Sequence, residues 1–281
     1  EFDLSLKNAN AYLKQENIDL AKICYLRCAT LDPNSSDAHL GLAYCYVAMK
    51  KPEQAQQEIF DSLRSDPNKA EARFLLGDLM MKDARWDEAG GQYLQILKTN
   101  TENLPARGNL ATCFLMMGQI DPALGQFNYI LTKDPKSSTA AYNLAAAYEI
   151  KHSYNEAAQY YKKALQLDPD NTNALCSLAK CLIAKKQYQD AQVLLKEALK
   201  RSPKNHFVHL MQGFLFESTG EKTGAIQEYT KAVALSPKDG DSVLALERML
   251  NGGSSKMRGG GDVNGMKRYN GKIGGVTTDF K

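Results

Sequence analysis

Proline recurs in this chain at positions 33, 67, 135, 169, 203 and 237. The interval is 34 residues, doubled once where Thr101 stands instead. A fixed period in this range marks stacked repeats, each of which buries its apolar face only against its neighbours. The proline follows Asp or Ser, as in Asp32-Pro33, Asp66-Pro67, Asp134-Pro135, Asp168-Pro169, Ser202-Pro203 and Ser236-Pro237. It removes a backbone donor and biases its predecessor away from the helical region, so it separates one helix from the next. With the proline as position 32, units start at 2, 36, 70, 104, 138, 172 and 206 and fill residues 2–239.

Other positions align in this register. Position 20 is Ala21, Ala55, Ala89, Ala123, Ala157, Ala191 and Ala225. Position 8 is small throughout: Ala9, Ala43, Gly77, Ala111, Ala145, Ala179 and Gly213. Position 24 is bulky: Tyr25, Ile59, Tyr93, Phe127, Tyr161, Leu195 and Tyr229. At roughly 100° per residue, positions 4, 7, 8 and 11 share one helical face, and positions 20, 24 and 27 share a face of a second helix. Small residues at 8 and 20 let the two helices approach, and the bulky residue fills the space beside them.

The stretch 141–169, AYNLAAAYEIKHSYNEAAQYYKKALQLDP, resembles a near-consensus tetratricopeptide repeat, and seven units in register extend the resemblance over residues 2–239. It implies an all-α fold, a right-handed α-solenoid (superhelix) of stacked antiparallel helix pairs. Departures are local. Unit 1 has Ser5 and Asn8 where bulk is expected, unit 7 has Gln212 at the leucine position, and Pro105 opens the helix after the missing proline.

Residues 240–250 form half a further unit, expected as a capping helix with Val243, Leu246 and Leu250 at positions 4, 7 and 11, and with Leu244 and Met249 partly exposed. Residues 251–281 change composition, with nine glycines in 31 residues. The readings are a flexible basic tail, a peptide-like segment docked on the repeats, or a contact with RNA or acidic lipid. The tail holds six Lys/Arg and two Asp, so of the net charge of +3 it carries +4 and leaves −1 on residues 1–250. A near-neutral array argues against nucleic-acid binding through the repeats.

Cys45, Cys113 and Cys181 all fall at position 10, where they replace alanine in a reduced core. Cys24 and Cys28 lie one turn apart without further ligands in view, and Cys176 lies in a helix interior. Thiols in helix interiors fit a cytoplasmic or otherwise intracellular setting. No apolar run is long enough to span a bilayer. The chain starts at Glu1-Phe2 without methionine, which leaves a removed leader or anchor open. His39 and His209 occupy position 4, a packing position, and Trp86 at position 17 packs beside Ala89. No phosphate-binding loop or catalytic constellation stands out, so the expectation is a non-enzyme with no cofactor and no metal.

Positions 2, 5, 9 and 12 of each first helix form a separate stripe, about 80–160° from position 4. In the family that this chain resembles, the stripe lines a concave groove. Candidate peptide-binding residues are then Phe74 and Tyr142 at position 5, and Tyr44, Asp78, Thr112, Ala146, Lys180 and Phe214 at position 9. Val47, Met81, Leu115 and Glu149 join them at position 12. Asn109 and Asn143 match the position-6 asparagines with which some family members hold a peptide backbone. The carboxylate clamp of other members needs lysine at position 5 and asparagine at 9, and only Asn10 fits. The expected function is a protein–protein scaffold or adaptor that binds a helical or extended segment in an apolar groove. The alternatives are a self-assembling scaffold, with its own tail or another copy as partner, and a substrate-selecting domain of a larger enzyme.

Overall fold

The computed structural model describes residues 1–252 of the 281-residue chain, and the readings of the tail beyond them fall outside the described residues. The described residues are built of helices alone: α1 Phe2–Lys14, α2 Ile18–Leu31, α3 Ser36–Ala48, α4 Pro52–Ser65, α5 Ala70–Lys82, α6 Trp86–Thr99, α7 Leu104–Met116, α8 Ile120–Lys133, α9 Ser138–Ile150, α10 Tyr154–Leu167, α11 Thr172–Ala184, α12 Tyr188–Arg201, α13 His206–Thr219, α14 Lys222–Leu235 and α15 Gly240–Leu250. Turns of three residues within the repeats, two between α13 and α14, make the paired helices antiparallel neighbours.

Short polar signals set these boundaries. Ser35, Ser137, Asn171 and Asp239 each accept from a backbone N–H of the first turn of α3, α9, α11 and α15. Asn103 does the same for Ala106 in α7. At the other end of each pair, Asp32, Asp66, Asp134 and Asp168 accept from the backbone N–H two residues on. This side-chain turn spans the proline. Asn100 makes the same bond to Glu102 over Thr101, so the turn survives where the proline is missing.

Every first helix ends in one motif. In α3, Lys51 N donates to Tyr46 O and Lys50 N to Val47 O, with Lys50 at φ 58°. These are the paired bonds of a Schellman cap, which needs a left-handed residue. Position 15 supplies it in all seven units: Glu16, Lys50, Ala84, His152 and Lys186 near φ 58–61°, Gly118 at 76° and Gly220 at 86°. Glycine takes this conformation without strain, and the other five residues do not.

Contacts group the chain into two compact units, Glu1–Cys113 and the part from Phe114 onward. Interactions in a repeat array are nearest-neighbour, so the grouping follows local contact density. In the N-terminal unit α1 pairs with α2, α3 with α4 and α5 with α6; in the C-terminal unit α9 pairs with α10, α11 with α12 and α13 with α14.

The core follows the register. All seven position-20 alanines are fully buried, and every position-24 side chain is at most 1% exposed. Each buried tyrosine ring removes roughly 150–250 Å² from water, about 4–6 kcal/mol before the cost of ordering it. A second seam is absent from the sequence reading. Position 3 is Ala38, Ala72, Ala106, Ala140, Ala174 and Val208, all buried. Gly41 belongs to the same close packing: a Cβ there would lie 2.2 Å from the Tyr25 ring.

The last helix corrects one expectation. Met249 is buried and Leu250 is 62% exposed, the reverse of the reading from positions 4, 7 and 11. In α15 the buried residues are Ser242, Ala245 and Met249, at positions 3, 6 and 10. That face meets α14. The 4/7/11 face packs on a unit's own second helix in the full repeats, and α15 has none among the described residues. Leu244 is exposed as expected.

Candidate functional site

The inner stripe lies on the first helix of each pair, and the two units carry separate parts of it. In the N-terminal unit, Tyr44, Val47, Phe74, Asp78 and Met81 are half-buried. The Phe74 ring meets Tyr93 edge-on with centroids 5.6 Å apart. The Tyr93 hydroxyl donates to Asp78 Oδ1 at 2.6 Å and lies 3.2 Å from Met81 Sδ. Asn109 Nδ2 donates to the same Asp78 oxygen at 3.2 Å. Burial raises the Asp78 carboxyl above its ordinary range, against the lowering effect of the Tyr93 hydrogen bond. Burial also pushes the Tyr44 phenol up to about 12, with help from Glu71 and Asp78.

In the C-terminal unit, Tyr142, Ala146, Glu149 and Lys180 are half-buried. The Tyr142 ring packs on Tyr161 at 5.3 Å, and its hydroxyl lies 3.4 Å from Ser177 Oγ. Tyr161 donates to Glu149 Oε2 at 2.8 Å, and Lys180 Nζ pairs with Glu149 Oε1 at 2.7 Å. Two units further on, Tyr229 donates to Glu217 Oε2 at 2.6 Å and Arg248 reaches both oxygens of the same carboxylate.

Five stripe residues are not presented as the sequence reading places them. Asn109, Thr112, Leu115, Asn143 and Phe214 are each less than a tenth exposed. For Asn143 and Phe214 the cover lies where first helices of successive repeats touch, α9 with α11 and α11 with α13. Asn109 is committed to Asp78, and Thr112 Oγ1 donates to the Gly108 carbonyl. Asn143 Oδ1 is buried without a partner.

Asp78, Glu149 and Lys180 are candidate binding residues in the sequence reading, and Glu217 holds position 12 of the last full repeat. The structure ties each acid to the position-24 tyrosine of its own repeat. Unit 1 does likewise with an amide: Tyr25 donates to Asn10 Oδ1 at 2.6 Å. The signal was available. Tyrosine at 24 occurs in units 1, 3, 5 and 7, and those are the units with Asn, Asp or Glu at position 9 or 12.

Position 4 is a structural tie. His39 Nδ1 lies 2.7 Å from Glu58 Oε2 and its Nε2 lies 3.0 Å from the Pro33 carbonyl. His209 repeats this with Glu228 and the Pro203 carbonyl. Arg73 and Arg107 reach the equivalent carbonyls of Pro67 and Thr101. Burial pulls the His39 pKa down, and the Glu58 and Pro33 hydrogen bonds outweigh it, so the net shift is upward. Cys45, Cys113, Cys176 and Cys181 are free and fully buried. Burial pushes their thiols up, to about 11 at Cys45 and about 12 at Cys113 and Cys176, which suppresses the reactive thiolate. His39, Glu58 and Asp61 form the one group with metal-ligand spacing among the described residues.

This is a helix-pair repeat protein, with a buried seam of alanine and one bulky side chain inside each pair and a mixed stripe on the first helices. Tetratricopeptide repeat models match residues 8–35, 24–57, 46–105, 109–172 and 151–212. The chain belongs to the tetratricopeptide repeat family. Its architecture is that of a protein–protein interaction scaffold. No curated protein matches it. Solved structures share the fold. A tetratricopeptide repeat protein from Parabacteroides merdae is 14% identical with a TM-score of 0.73, over 89% of this chain and 99% of that one. Pseudomonas aeruginosa pilF is 22% identical with a TM-score of 0.64, over 75% and 96%. YrrB, described as having an unusual peptide-binding site, is 16% identical with a TM-score of 0.56, over 66% and 95%. Among the described residues no helix is long and apolar enough to cross a membrane.

Proposed function

We propose that this scaffold holds a segment of a partner protein against half-buried apolar side chains of its first helices. The anchors are Tyr44, Val47, Phe74 and Met81 in the N-terminal unit, and Tyr142 and Ala146 in the C-terminal unit. One observation carries the reading: these apolar residues keep exposed surface, while the acids beside them are already engaged by tyrosines and Lys180. What remains for a ligand is apolar contact, which suits an amphipathic helix or an extended segment with hydrophobic anchors. Phe74 and Tyr142 are held by ring packing on Tyr93 and Tyr161, so little entropy is lost when they bind. Similarity to a repeat protein with a peptide-binding site agrees with this use.

The test is a peptide selected from a displayed random library on the whole protein. Its affinity is then measured against Tyr44→Asp, Phe74→Asp and Tyr142→Asp, each checked by thermal melting. The reading expects apolar peptides and at least a tenfold loss, about 1.4 kcal/mol, in a variant that still folds. Unchanged affinity in all three folded variants removes the stripe from the function.

A further inference from the structure

We propose that His39, Glu58 and Asp61 form a binding site for one divalent transition ion of the zinc class, outside the peptide-binding stripe. His39 comes from α3, and Glu58 and Asp61 lie three residues apart on one face of α4. Their ligand atoms all lie within 4.8 Å of one another. The side chains keep 15%, 19% and 23% of their surface, so an ion has access and a water can complete its shell. One imidazole with two carboxylates suits a borderline ion better than a hard one, which prefers oxygen alone.

The imidazole is already oriented for this. Nε2 faces the Pro33 carbonyl at 3.0 Å and must donate to it, because that oxygen only accepts. Nδ1 then points at the carboxylates. A carbonyl on the far nitrogen is the device that fixes the tautomer of metal-binding histidines. Without an ion, one proton must lie between Nδ1 and Glu58 Oε2 at 2.7 Å. Binding replaces that proton: its bond to Nδ1 or Oε2 breaks, a metal–Nδ1 bond forms and one proton leaves to solvent. Asp61 also meets Arg64 at 3.0 Å and Gln57 at 3.2 Å. Arg64 is 76% exposed and can swing into water.

The chain holds its own control. His209 and Glu228 repeat the His39–Glu58 pair, with the Pro203 carbonyl on Nε2 at 2.9 Å. At the position of Asp61 stands Lys231, whose Nζ lies 2.7 Å from Glu228 Oε1. The second cluster thus supplies its own cation. The first has a surplus carboxylate in its place. The sequence reading finds no ligand set here because His39 and Glu58 are 19 residues apart and meet only when α3 packs on α4.

The experiment titrates the full chain with Co²⁺, followed by its visible d–d absorption, and with Zn²⁺ by calorimetry. The variants are His39→Gln, Asp61→Asn, Asp61→Lys and His209→Gln, each checked for folding by its melting curve. The expected result is one site, a loss of affinity of about tenfold or more in the three variants of the first cluster, and none in His209→Gln. Equal affinity in wild type and Asp61→Asn overturns the proposal. So does a thiolate-to-cobalt charge-transfer band, which would place the ion on cysteine.

Discussion

The Tyr161 hydroxyl donates to Glu149 Oε2 at 2.8 Å, from the second helix of a repeat back into the first. Tyr229 makes the same bond to Glu217 at 2.6 Å, and each acid is completed by a base at position 9 of the following unit, Lys180 or Arg248. In the N-terminal unit Tyr93 reaches Asp78 at 2.6 Å instead. The tyrosines therefore do two jobs. Their rings fill the seam between paired helices, and their hydroxyls satisfy the polar groups of the inner stripe.

Asp78 is the strained member of this set. Burial raises its carboxyl, so the folded chain binds a proton more readily than the unfolded one. Stability then falls as pH rises from the ordinary carboxylate range through the raised pKa, and the deficit is complete above it. Asp78→Asn removes the charge and keeps an acceptor for Tyr93, as Asn10 does for Tyr25. We expect the variant to melt above wild type at neutral pH, with the gap closing in acid. A lower melting temperature at neutral pH contradicts this.

Glu228 has the opposite sign. Burial alone would raise it, and the His209 and Lys231 hydrogen bonds bring it below the ordinary range. Its contribution is fully present above the ordinary carboxylate pKa and is lost as pH falls through the depressed one. Glu228→Gln should melt below wild type at neutral pH and approach it in acid. Parallel melting curves across that pH window would show that the pairing adds nothing.

Two glycines separate packing from propensity. At Gly41 an added Cβ meets the Tyr25 ring at 2.2 Å, while at Gly91 it meets nothing within 4 Å. Gly41→Ala should cost about 1–3 kcal/mol by overpacking. Gly91→Ala, inside α6, should gain about 0.5–1 kcal/mol. Denaturant titration of both decides, and a neutral Gly41→Ala argues against the Tyr25 seam.

The Schellman caps make a third set. Ala84 sits at φ 58°, where Gly118 and Gly220 occupy the equivalent position of other units. Left-handed backbone costs a residue with a Cβ about 1–2 kcal/mol, partly offset by the extra freedom glycine has when unfolded. Ala84→Gly should therefore stabilise by roughly 0.5–1 kcal/mol. Gly118→Ala should destabilise by a similar amount, read from the same titration.

The period made the seam legible, because proline at 32, alanine at 20 and bulk at 24 each answer to one local constraint. Position 3 is alanine in the middle five units, but its burial depends on the preceding unit rather than its own, and Leu4, with none before it among the described residues, is exposed. The left-handed residue at position 15 is glycine in only two of seven units and Glu16, Lys50, Ala84, His152 or Lys186 in the others, so composition hides it. Among the candidate residues, Tyr44 and Phe74 keep exposed surface, whereas Asn109 and Asn143 are buried. Helical angle fixes a residue's direction but not what stands in front of it. The His39–Glu58 contact likewise joins two helices and leaves no mark in either alone.

The most direct test of the scaffold reading is an amide chemical-shift map of the whole protein with its selected peptide. The account predicts that the largest shifts cluster on the first helices, around Tyr44, Phe74 and Met81 or around Tyr142 and Ala146. Shifts confined to the exposed residues of second helices, such as Phe60, Leu94 and Val193, would contradict it.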